Sequence, residues 1–133
     1  MTLYQTPNAS LVYHSDTATL RLSYNALSLT TDFAQAYQHA LQTMQQQHVA
    51  KLLLDLKRNA PPTDDAEHWL LDPLAQQLAA PLKQPIFIAA VVSEGQYQYQ
   101  IGNLLAVKAL PPKQIEFNYF TCRREAAAWL SAN

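Results

Sequence analysis

The sequence predicts a single α/β domain spanning residues 1–133, built on a mixed β-sheet of about five strands with about four helices, in the order ββαβαβαβα. Three observations carry that prediction. Residues 51–56 (KLLLDL) and 86–92 (IFIAAVV) are short apolar runs without alternation, the pattern of strands covered on both faces. Stretches with apolar residues at helical spacing lie around them. Prolines at 61–62, 81, 85 and 111–112 punctuate the passage from one element to the next.

Residues 11–14 and 17–24 are β-rich segments separated by Ser15-Asp16, and in the second Leu20, Leu22 and Tyr24 alternate with Thr19, Arg21 and Ser23. They predict a half-buried antiparallel hairpin. Residues before Leu11 offer a further short strand, set off by the turn signal Pro7-Asn8. Thr30, Thr31 and Asp32 then supply N-cap oxygens and an early carboxylate, and Phe33, Tyr37, Ala40, Leu41 and Met44 follow at helical spacing. A first helix therefore runs to Gln47. Its opposite face is rich in glutamine (Gln35, Gln38, Gln42, Gln45, Gln46), which suits solvent or a polar interface.

After strand 51–56, Pro61-Pro62 prevents direct continuation as helix, and Thr63 or Asp64 can cap the next one, with Glu67 in capping-box spacing to Asp64. Trp69, Leu70, Pro73, Leu74 and Leu78 form its inward stripe. Pro73 removes the hydrogen bond to the Trp69 carbonyl, so a kink or break is expected there. Gly95 can take a positive φ after the second buried strand. Tyr97, Ile101, Leu104 and Leu105 support a third helix, weakened by Gly102 and Asn103. Ile115, Phe117 and Tyr119 alternate with Glu116, Asn118 and Phe120 in a last strand, and residues 123–130 form an alanine-rich terminal helix. Right-handed crossovers place the last three strands parallel.

Apolar residues make up 49% of the chain and charged ones 14%, so it can bury a core and is not a disordered segment. The longest apolar run, 86–92, is too short to cross a bilayer, and no membrane insertion is expected. Nine Lys and Arg against ten Asp and Glu, with no basic stripe, argue against nucleic acid as a partner. The first ten residues, MTLYQTPNAS, carry neither a basic nor an apolar leader region, and a single cysteine, Cys122, forms no internal disulfide. Both agree with a cytoplasmic location. A net charge of −1 leaves little colloidal repulsion, consistent with self-association as a homodimer.

Ligands of parallel α/β sheets gather beyond the carboxyl ends of the strands. That rim collects Asp55, Lys57 and Arg58 from one strand end, Ser93 from the next, and Cys122, Arg123 and Arg124 from the last. Asp55 interrupts a buried apolar run, where a carboxylate needs a partner; Lys57, Arg58 or backbone N–H groups are the expected ones. It either fixes neighbouring loops or belongs to a site. Arg123 and Arg124 stand in the first turn of a helix, where cations oppose the dipole, so an anionic ligand or a nearby carboxylate is expected to compensate them. Cys122 meets the sequence condition for an activated thiol, with no histidine adjacent in sequence to complete a catalytic pair. Asp64, His68 and Asp72 share a helix face that reads as solvated rather than as a closed zinc site. No metal or cofactor is expected, and the chain contains no Walker loop, GxGxxG, GxSxG or HExxH motif.

Two segments carry a family resemblance. LLLDL at 52–56, followed by a loop, Trp69-Leu70 and Pro73, and FTCRREAAAWL at 120–130, with its closing Phe, polar cap, alanines and Trp-Leu ending, resemble the STAS-like superfamily of sulphate transporters and anti-sigma-factor antagonists. Within it the chain is most similar to the small stand-alone bacterial SpoIIAA-like domains. Such motifs frame a fold more than an activity. The resemblance implies a non-enzymatic regulatory domain that acts by binding a protein partner. In the anti-sigma-factor antagonists an Asp-Ser-Ser-Gly type helix start carries a serine phosphorylated by a partner kinase; here the matching residues are Thr63, Asp64, Asp65 and Ala66, without serine. Thr63 is then the candidate phosphoacceptor, or Asp64 and Asp65 supply a permanent charge, or the three simply cap a helix. The alternative function is a carrier or sensor of a small apolar or amphipathic ligand held near Trp69, Leu70 and Leu74.

Overall fold

Alternating and continuous apolar patterns mark two kinds of strand, and the sheet joins them side by side. The computed structural model describes residues 2–25, 31–56, 70, 74, 85–95 and 115–133. Strands β1 (Thr2–Gln5), β2 (Ala9–His14) and β3 (Thr19–Tyr24) pair antiparallel, and β4 (Lys51–Asp55), β5 (Ile86–Val91) and β6 (Ile115–Phe120) continue from β3 in parallel. Across the sheet the order is β1-β2-β3-β4-β5-β6. The last three strands are parallel as expected. The described sheet has six strands, β1 being the short one before the Pro7-Asn8 turn.

Two long helices are described, α1 (Thr31–Gln47) and α2 (Arg123–Ser131). Leu70 and Leu74 are also helical. The Pro61-Pro62 loop, the Pro73 kink, the third helix over 97–105 and the turn at Pro111-Pro112 lie outside the described residues.

Two local expectations are corrected. The β2–β3 turn occupies residues 15–18 and not Ser15-Asp16 alone: Ala18 takes a φ of 51° and β3 begins at Thr19. Thr17, although β-branched, is spent on the turn, where its carbonyl accepts from the Thr19 hydroxyl at 3.0 Å. Gly95 does not supply a positive φ, because Glu94 and Gly95 already open a helical turn.

Chain direction explains which face each helix covers. Each parallel step from β3 to β6 moves the same way across the sheet, and a right-handed crossover from β3 to β4 puts α1 on one face. Phe33, Tyr37, Leu41 and Met44 of α1, with Leu70 and Leu74, accordingly join Leu20, Leu22, Leu52, Leu54, Ile88 and Phe117 in the main core. Helix α2 follows the last strand and is free of that constraint. It folds onto the second face, where Ala126 and Leu130 pack with Leu53, Ala89 and Val91. That sandwiching is why β4 and β5 show no alternation.

Helix α1 ends in a Schellman motif. The Val49 N–H donates to the Met44 carbonyl at 3.0 Å, His48 takes the left-handed conformation with φ 56°, and Met44 and Val49 are both buried in the main core. All five glutamines of the predicted polar face are exposed.

Candidate functional site

The half-buried alternation of β3 puts Leu20, Leu22 and Tyr24 into the main core and leaves Thr19, Arg21 and Ser23 on the second face. Strand register then builds a polar row. Gln5 pairs with Ser10, Ser10 with Ser23, and Ser23 with Asp55, so four side chains from four adjacent strands stand beside one another on that face. The row stops at Val91 of β5, where the apolar cover of α2 begins. Asp55 thus marks the margin between a covered and a polar half of the same sheet face.

Asp55 is buried, and two arginines hold it. Arg21 donates from a terminal nitrogen to Asp55 Oδ2 at 2.9 Å, and Arg123 donates from Nε to the same oxygen at 2.6 Å. Arg21 reaches it because β3 and β4 run parallel with Arg21 on the same face as Ser23, two residues behind it; Arg123 reaches it because α2 starts just beyond β6. The hydrogen bond that Arg123 donates to Asp55, reinforced by the carboxylate's charge, raises the Arg123 guanidinium above its ordinary value. The carboxylate expected to offset the cations at the start of α2 is therefore Asp55, with Glu125 also in the first turn.

A cleft of about 500 Å³ opens over this row, bounded by the β1–β2 turn at Thr6 and Asn8, by Tyr24 and Asn25 at the end of β3, and by Arg123. Thr6 and Asn8 are themselves tied to the start of α1, each donating a side-chain hydrogen bond to Asp32 Oδ2, at 3.5 and 3.4 Å. A smaller groove of about 140 Å³, lined by His14, Thr19, Arg21, Leu53 and Leu130, shares Arg21 with it. On the α1 side a separate cleft of about 510 Å³ is lined by Leu3, Tyr13, Thr43, Gln46, Gln47 and Val49.

Of the predicted rim residues, Asp55 and Arg123 come together in this cleft. Ser93, after β5, and Cys122, after β6, are half-buried and do not line it. Cys122 is the N-cap position of α2 but makes no side-chain cap hydrogen bond. Lys57 and Arg58, the expected partners of Asp55, lie outside the described residues, as do Thr63, Asp64, Asp65 and Trp69. Leu70 and Leu74, expected to touch an apolar ligand, are packed in the main core, where the Tyr37 hydroxyl donates to the Leu70 carbonyl at 2.9 Å. Burial, reinforced by the nearby Tyr119, pushes that phenol well above its ordinary value. Arg21 escaped the sequence reading. Its alternation with leucines marks a solvent-side position, and nothing in the sequence states that β3 lies beside β4.

Among the described residues no three His, Cys, Asp or Glu side chains group as a metal site, and no helix is long and apolar enough to cross a membrane. Comparison of the chain with protein-family models, with curated proteins and with solved structures finds no match.

Proposed function

We propose that the chain is a non-enzymatic regulatory or protein-interaction domain of the STAS-like type, and that it meets its partner at the rim formed by Arg21, Asp55 and Arg123. The observation that carries this reading is the engagement of Asp55. A general base must present a lone pair to its substrate, whereas Asp55 Oδ2 accepts from two guanidinium groups and serves as their anchor. The cleft around it is lined mainly by neutral hydroxyl and amide side chains, groups suited to reversible recognition. The segment bearing Thr63, Asp64 and Asp65 leaves β4 from this same strand end, and the family resemblance assigns partner contact to it.

Affinity capture from a lysate of the native host, with the wild-type chain and Arg123→Gln side by side, tests the reading. A protein retained by the first and depleted with the second supports it. Identical retention by both removes the rim as the contact surface. Sedimentation velocity of the purified chain shows whether that partner is a second copy.

A further inference from the structure

The geometry points to the cleft over the Gln5-Ser10-Ser23-Asp55 row as a binding site for a small polar molecule bearing one oxyanion, a carboxylate or a phosphate monoester. This rests on the rim being a recognition surface and adds the chemistry of what it recognises.

Charge is the first ground. Among the described residues that line the cleft, Arg21 and Arg123 are cationic and Asp55 is the anion, so one positive charge is in excess. Its placement favours an incoming anion. The Asp55 side chain is only 8% exposed, while those of Arg21 and Arg123 are 40% and 42% exposed. The negative group lies at the floor and the guanidinium groups stand nearer the mouth, where field lines from a low-dielectric wall draw in the opposite sign.

Donor supply is the second ground. A guanidinium carries about five N–H donors. Arg123 holds Asp55 through Nε, so its two terminal nitrogens lie beyond that contact, at the end of a partly exposed side chain. That terminal fork is the group that takes a carboxylate or phosphate side by side. Arg21 holds Asp55 through one terminal nitrogen, and its buried Nε finds no acceptor among the described residues. The fold supplies more donors here than the carboxylate engages. Asp55 also fixes both guanidinium groups in advance, which lowers the ordering cost of binding.

The neutral lining decides the rest of the ligand. Ser10 and Ser23 are directly paired on the cleft floor, with Gln5 and Asn25 beside them. Hydroxyl and amide groups of this kind match hydroxyls on a ligand, and the volume of about 500 Å³ suits a molecule the size of a sugar acid or sugar phosphate. A single excess charge matches one anionic group better than a di- or triphosphate chain.

The test is a titration of the full chain, followed by amide chemical shifts, with glucose 6-phosphate, gluconate and uncharged glucose as probes. We expect one or both anions to shift the amides of Ser10, Ser23, Asp55 and Arg123 saturably below about 10 mM, glucose to leave them in place, and affinity to fall as salt is raised. A response to one anion alone identifies the group as phosphate or carboxylate. Because Arg123→Met leaves Asp55 short of a counter-charge, Arg123→Lys is the decisive variant: it keeps the charge and removes the fork, and binding should weaken roughly tenfold while the circular dichroism spectrum is unchanged. No saturable shift with either anion, an equal response to glucose, or unchanged affinity in Arg123→Lys overturns the inference. If lysate capture still depends on Arg123 in that event, the interaction reading survives and only the oxyanion chemistry falls.

Discussion

Replacing Asp55 by asparagine keeps the side chain's shape and removes the charge on which two guanidinium groups converge. Both arginines retain access to water, so the cost falls below that of breaking a fully buried pair: Asp55→Asn is expected to lose about 1–3 kcal/mol in urea unfolding. An unchanged midpoint would show that the brace contributes nothing to stability. Tyr37 gives a prediction in pH. Its unfolded phenol titrates near 10.0 while burial holds the native one higher, so above that pH the unfolded chain sheds a proton that the native chain keeps. Stability should decline by about 1.4 kcal/mol per pH unit from this group alone. Tyr37→Phe lacks that slope: it should be less stable than wild type by about 1 kcal/mol below pH 10, with the gap closing as pH rises further. Parallel denaturation curves at pH 8 and above pH 10 check the sign. Asp55 is legible in the sequence because a carboxylate inside LLLDL demands a counterpart. Its counterparts are not, since they arrive from positions 34 and 68 residues away and depend on which strands become neighbours.

At the scale of elements, periodicity located what it could measure. Helix α1 has its buried stripe where 3.6-residue spacing places it, the two strands without alternation are covered on both faces, and β6 buries Ile115 and Phe117 while exposing Glu116 and Asn118. Turn geometry escaped it, because Thr17 has strand propensity and only the pairing of His14 with Thr19 reveals that residues 15–18 form the bend. The end of α1 carries a testable cost. His48 occupies the left-handed C′ position of a Schellman motif, where glycine meets no Cβ penalty. His48→Gly is therefore expected to raise stability by up to about 1 kcal/mol, and a lower urea midpoint would contradict that account of the helix end. Neither the direction of α2 nor its choice of face was readable from RREAAAWL, whose alanines suit either side of a sheet.

For the whole molecule, cover decides local stability. The amides of β4 and β5 lie between two paired strands and beneath side chains on both faces, whereas β1 pairs with β2 alone among the described strands and is largely exposed. Native-state hydrogen exchange should rank them accordingly, with Leu53, Leu54 and Ala89 among the slowest amides and Leu3 among the fastest. Comparable protection in β1 would mean that something further covers that margin. The left-to-right strand order has a further result for biogenesis. Since each described strand joins the outer border left by its predecessor, none of the six has to be inserted between two already seated ones, and a chain emerging from the ribosome amino end first can lay them down in the order of translation. Stalled nascent chains released to just past Asp55 should already protect the 9–24 hairpin from protease, an order of events that a fold with an interleaved strand could not follow.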